Sequence, residues 1–139
     1  MRNTALMFLA LGVASILAAC ANSSPKLDAA AQVARGEAIF IRNCQRCHGD
    51  AATGAGRAPV APLHSDAGHT WNHADGQIIE IVLGRANQPG RMMPSFAGLL
   101  TKADVLNIIA YLRSNWPQDK QDIQAEASRN WEDMKRNGG

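Results

Sequence analysis

Residues 44–48 read Cys44-Gln45-Arg46-Cys47-His48, and this run decides how the rest of the chain is read. Two thiols at this spacing can reach the two vinyl groups of one porphyrin and form thioethers. The adjacent imidazole then lies under the iron. C-x-x-C-H is the attachment signature of c-type haem. A bare C-x-x-C also fits a redox dithiol or half of a zinc site. The dithiol should follow a strand in a mixed fold, and no strand pattern is visible. Zinc needs further ligands at matching spacing, and the chain has three cysteines in all, with no second pair. The expectation is one covalent haem c per chain, attached through Cys44 and Cys47, with His48 as proximal iron ligand.

A second ligand should come from a loop on the opposite face. Met92-Met93-Pro94-Ser95-Phe96 lies in a loop rich in Pro and Gly, and the fixed φ of Pro94 helps to hold such a loop. A thioether donor there raises the reduction potential relative to a second histidine. Met often fills gaps in a core instead, but two in a polar loop favour a ligand.

The segments around these motifs read as helices and long loops. Residues 28–43 form an Ala-rich helix with Asp28 as N-cap, and Val33, Gly36, Ile39 and Phe40 lie near one face. Gly36 inside a helix costs up to ~1 kcal/mol against Ala, which implies a close packing contact. Residues 49–71 form a loop long enough to argue against a compact domain unless it wraps something, and a haem is something to wrap. Residues 75–83 form a short helix with Ile78, Ile79, Val82 and Leu83 as its apolar set and Gly84 past its end. Residues 85–97 form a second loop. Residues 101–114 form the clearest helix, opened by Thr101 and Asp104 as a capping box and closed by Trp116-Pro117. Residues 118–136 read as a mostly polar helix with one stripe, Ile123, Ala127, Trp131 and Met134, a surface strap held by few side chains.

Composition agrees with a cofactor-centred core. Aromatic residues make up 5% of the 139 residues, and a haem would add a large apolar body. The net charge of +2, from 14 basic and 12 acidic residues, gives no basic stripe of the kind nucleic acid requires.

The N-terminus reads as an address. Arg2 supplies a positive n-region, residues 5–17 an apolar h-region, and Leu17-Ala18-Ala19 small residues before a cleavage point. The apolar run is too short for a span, which needs about 20 residues. Leu17-Ala18-Ala19-Cys20 resembles the lipobox of bacterial lipoproteins, which implies a signal peptide over 1–19 and diacylglycerol on Cys20. Acyl chains at ~0.8 kcal/mol per methylene anchor a chain stably. Residues 20–27 would be the lipidated tether, with the chain in the bacterial cell envelope, facing the periplasm or exterior. No cysteine is then left for a disulfide.

Over residues 28–116 the chain resembles the class I cytochromes c. The resemblance is carried by Gly36-x-x-x-Phe40-x-x-x-Cys44-x-x-Cys47-His48, by Met93-Pro94-x-Phe96, and by a last helix containing Tyr111-Leu112. It implies an all-α fold of helices and long loops around one haem, with the first and last helices crossing near Gly36 and Tyr111. Residues 117–139 would be a polar C-terminal addition. The resemblance also implies Met93, before the proline, as distal ligand, with Met92 the runner-up. It implies a Pro carbonyl that accepts a hydrogen bond from His48. Pro62 fits best and Pro59 is the alternative.

The segment Gly68-His69-Thr70-Trp71-Asn72-His73 resembles a subgroup of accessory periplasmic cytochromes with a polar tail. Trp71 and Arg57 are candidates for the haem propionates. His64, His69 and His73 are candidates for copper or for an alternative haem ligand.

The function expected is transfer of single electrons between redox proteins outside the cytoplasm, with no catalytic residues. The rivals are a haem peroxidase or gas-binding protein, which would need the Met ligand to leave, and a tethered copper or haem accessory factor. Arg42, Arg46, Arg57, Arg85 and Arg91 are candidates for steering an acidic partner.

Overall fold

The computed structural model describes residues 28–86 and 88–138; the expected signal peptide, Cys20 and tether lie outside them. The described residues form α1 (Ala29–Asn43), α2 (Gln45–His48), a 3-10 turn (Thr70–Asn72), α3 (Asp75–Val82), α4 (Lys102–Ser114) and α5 (Gln118–Asn137). Among the described residues there is no strand, and no helix is long and apolar enough to cross a membrane.

Helices α1 and α4 begin with side-chain caps and pack along each other. Asp28 accepts a hydrogen bond from the Ala31 N–H at 2.7 Å. Thr101 and Asp104 cap α4 reciprocally: Oγ1 accepts from the Asp104 N–H at 3.2 Å, and Oδ2 accepts from the Thr101 N–H at 3.0 Å. The shorter Asp therefore closes the box. The two helices touch at Gly36, where a Cβ would stand 1.8 Å from the Asn107 carbonyl oxygen. Gly is required at this close approach, which accounts for its place in a helix. Tyr111, expected at the crossing, lies one turn further on, 5.7 Å from the Phe40 ring.

The core is one cluster. Phe40, Val105, Ile108, Ile109 and Leu112 pack with Ile78, Ile79 and Leu83 of the α3 region and with Trp116. Its members recur at helical spacing in α3 and α4, as the sequence implied.

Helix α5 departs from the expected stripe. Ile123 is 41% and Met134 61% exposed, whereas Gln124 is fully buried. The Gln124 amide donates to Asp75 Oδ1 and its Oε1 accepts from Arg113 Nε at 2.8 Å; Arg113 also pairs with Asp75 at 2.9 Å. Ser128 Oγ accepts from the Asp75 N–H at 3.0 Å. Trp131 lies against Gly76, where a Cβ would stand 2.1 Å from the indole nitrogen. The inward face thus runs through Gln124, Ser128 and Trp131, one turn apart each time. It is held by hydrogen bonds and one large ring, so an apolar periodicity could not locate it.

Candidate functional site

A cavity of about 580 Å³ opens among these elements. Phe40 of α1, Ile78 and Val82 of α3, and Ile108 and Leu112 of α4 give it an apolar floor. Cys44, His48 and Pro62 line one side, and Met92 and Met93 come from the loop before α4.

Cys44 ends α1 and His48 ends α2, so one tight backbone turn sets their separation. The Ala58 N–H donates to the Cys47 carbonyl at 2.8 Å and ties the long loop to this turn. Cys44 is half-buried and Cys47 exposed. Burial, and secondly the nearby Cys47, push the Cys44 thiol up to about 11.

His48 is buried and lines the cavity, and its Nδ1 lies 3.0 Å from the Pro62 carbonyl oxygen. An N–H donated there would leave Nε2 free to hold the iron. The Pro59 carbonyl accepts from Arg57 instead, at 3.2 Å.

Both Met92 and Met93 line the cavity, but Met92 is 77% exposed and Met93 is half-buried. The loop that carries them is fastened to the end of α3. The Phe96 N–H donates to the Val82 carbonyl at 3.0 Å, and Ser95 Oγ donates to the Leu83 carbonyl at 3.0 Å. An apolar floor, a histidine on one side, a Met loop and the Cys44 thiol in the lining fit a covalently held haem; Cys47, three residues on, is exposed and outside the lining.

Trp71 and Arg57, expected at the propionates, are engaged elsewhere. The Trp71 indole N–H donates to the Asp66 carbonyl at 3.2 Å, and the Lys120 ammonium stands 3.7 Å from its ring centroid. Arg57 donates to the carbonyls of Ala58, Pro59 and Ala61 and so staples its own loop. Neither lines the cavity.

His64, His69 and His73 all line it, yet among the described residues no group of three or more His, Cys, Asp or Glu side chains could hold a metal ion. His64 stacks on His48, while His69 and His73 meet edge to face with centroids 5.6 Å apart. Burial first, then the His48 and His69 charges, push the His64 pKa down to about 3.

Sequence reasoning missed the contacts behind this wall. The Trp116 indole N–H donates to the His64 carbonyl at 2.7 Å; in the sequence Trp116 marked only a helix end.

The family model described as Cytochrome c matches residues 33–116. The chain is 32% identical to cytochrome c6 of Picosynechococcus sp. over 97 residues, covering 66% of this chain and 80% of that protein. It is 28% identical to a nicotinate dehydrogenase subunit of Pseudomonas putida over 116 residues, covering 81% of this chain. The chain spans about a tenth of the length of that dehydrogenase polypeptide. No solved structure matches. The family match covers more than half of a helical chain whose cavity is lined by Cys44, His48 and a Met loop, and on this ground the chain belongs to the cytochrome c family, as a class I c-type cytochrome carrying covalent haem c.

Proposed function

We propose that the chain carries single electrons between redox proteins outside the cytoplasm, with Cys44 and Cys47 as haem thioethers, His48 as proximal ligand and Met93 as distal ligand. The observation that carries this reading is the cavity itself, with His48 backed by the Pro62 carbonyl and Met93 beside it in a loop tied to α3. The haem supplies a one-electron couple. His48 and Met93 would hold the iron from two sides and the apolar wall would enclose the ring. With both residues so engaged no position would be left for substrate, which favours a carrier over a peroxidase. The likeness to part of a dehydrogenase polypeptide supports an oxidoreductase among its donors.

The test is an optical and potentiometric comparison of the wild-type chain with Met93→Ala and Met92→Ala. Met93→Ala should abolish the weak long-wavelength band of a Met-ligated ferric haem and lower the potential. The exposed Met92→Ala should do neither. Loss of the band in Met92→Ala alone would move the ligand by one residue. Rapid peroxide turnover by the wild type, with no such band, would favour the peroxidase.

Anchoring is part of the same reading. Leu17-Ala18-Ala19-Cys20 supports lipidation of Cys20 in the cell envelope. Cys20→Ser should release the chain from membranes or leave an unprocessed precursor. A processed, membrane-bound Cys20→Ser chain would put the anchor elsewhere.

A further inference from the structure

Two hydrogen-bonding groups and two rings meet behind the proximal histidine. The His64 and His48 imidazoles stack with centroids 4.3 Å apart and planes 27° from parallel. His64 is itself held from three directions. Its Nδ1 is hydrogen-bonded with Thr70 Oγ1 at 2.8 Å, and that hydroxyl also donates to the Leu63 carbonyl at 3.3 Å. Phe40 meets the ring edge-on at 5.9 Å. The His64 carbonyl accepts the Trp116 indole N–H, which fixes the backbone beneath the ring.

His48, by contrast, has one polar restraint, the Pro62 carbonyl at Nδ1. A single in-plane hydrogen bond holds one atom of an imidazole. It resists poorly a rotation of the ring about its Cβ–Cγ bond. A flat group against the ring face opposes that rotation directly, because turning either ring forces the faces together.

We propose that His64 is a positioning residue for His48: its stacked face sets the rotation of the proximal imidazole plane, and Thr70 and Trp116 hold His64 for that task. The proposal rests on the reading of His48 as proximal ligand. An aliphatic side chain would fill the same space but would not define an angle.

The angle of an axial imidazole plane against the porphyrin nitrogens splits the iron orbitals that hold the unpaired electron of the ferric state. It therefore sets the EPR g anisotropy and the spread of the haem-methyl NMR shifts. A side chain that merely fills space would change thermal stability without moving these signals.

The experiment compares ferric holoprotein of the wild type, His64→Leu, His64→Phe and Thr70→Val, with a thermal melt of each. Hyperfine-shifted imidazole resonances are first assigned to His48 in the wild type. His64→Leu should keep the covalent haem and the Met-ligated band, yet change the g anisotropy and methyl spread. It should also shift the electron-exchange equilibrium with a fixed one-electron partner by roughly twofold, read from the midpoint potential. His64→Phe, which keeps a flat face, should restore the wild-type signals. Thr70→Val, which removes one restraint on His64, should fall between.

Signals in His64→Leu identical to wild type would overturn the proposal, as would a His64→Phe chain as perturbed as His64→Leu. Absence of His48 resonances in the wild type would overturn the ligand assignment and the proposal with it. Their presence with unmoved variants overturns the proposal alone.

Discussion

Arg91 turns its guanidinium back onto the loop that carries Met93, the proposed distal ligand. Its Nε donates to the Met93 carbonyl at 2.5 Å, its Nη2 to the Pro94 carbonyl at 3.0 Å, and its Nη1 to Gln88 Oε1 at 3.4 Å. A planar fork that bridges two consecutive carbonyls fixes the peptide between Met93 and Pro94, a geometry an ammonium does not reproduce. The sequence suggested Arg91 as a steering charge; with its donors so engaged it acts as a brace for the loop. Hydrogen bonds from charged donors contribute ~1.5–3 kcal/mol when well formed, and less where water competes. If the brace contributes ~1–2 kcal/mol, Arg91→Gln should raise the fraction of chains with the thioether displaced by roughly five- to thirtyfold. A titration with imidazole, which competes for the vacated position, reads that fraction directly. Arg91→Lys should recover little of the loss. Imidazole affinity equal to wild type in Arg91→Gln would show that Pro94 and the Ser95 bond to Leu83 hold the loop unaided.

At the scale of elements, legibility followed chemistry. Helices α1, α3 and α4 announced themselves through apolar residues at helical spacing and through Asp28 and Thr101, residues whose short side chains reach the N–H groups of a first turn. Gly36 announced a helix crossing because nothing else justifies it inside a helix. The C-x-x-C-H motif was legible because covalent chemistry admits few spacings. The inward face of α5 was not, because Gln124 and Ser128 bury by hydrogen bonding to Asp75 and Arg113, residues distant in sequence. The engagement of Trp71 and Arg57 by nearby carbonyls was hidden for the same reason: a backbone oxygen has no sequence signature. This network makes α5 part of the domain's stability. Gln124→Leu removes a fully buried amide and leaves Arg113 and Asp75 without one partner each, a loss of ~1–3 kcal/mol. Its thermal midpoint should fall by several degrees, at roughly 3–6 °C per kcal/mol for a domain of this size. Met134→Ser, on the exposed face, should leave it unchanged. Equal melting of Gln124→Leu and wild type would mean that Trp131 against Gly76 holds α5 alone.

On the scale of the whole molecule, the question is how a partner approaches the cavity. Its rim carries two exposed apolar side chains, Val60 and Met92, and the exposed Cys47 follows Arg46 in the chain. Arg42, Arg46 and Arg85 are exposed and form no ion pair among the described residues. Arg57 and Arg91 belong to a different class, since their guanidinium groups are bound to carbonyl oxygens of their own loops. The carboxylate of Asp50, a charge that could cancel the patch, accepts from the Ala52 and Thr53 N–H groups and the Thr53 hydroxyl. The exposed charges of Arg42, Arg46 and Arg85 suit an acidic redox partner: charge steers the encounter, and Val60 and Met92 at the cavity make the contact. Steering acts across solvent and fades as the Debye length shortens from ~30 Å at 0.01 M salt to ~8 Å at 0.15 M. The bimolecular electron-transfer rate with an acidic partner should therefore fall about tenfold over that range, the lower end of what steering provides. Arg46→Gln should lower the low-salt rate and flatten the slope, and Arg42→Gln should act in the same direction. Arg57→Gln should also lower the low-salt rate, because a guanidinium bound to neutral carbonyls keeps its charge, and should in addition loosen the loop that it closes. A rate that stays flat from low to high salt would remove the arginines from the encounter and leave apolar contact at Val60 and Met92 as the means of docking; Met92→Ser would then weaken binding at every ionic strength.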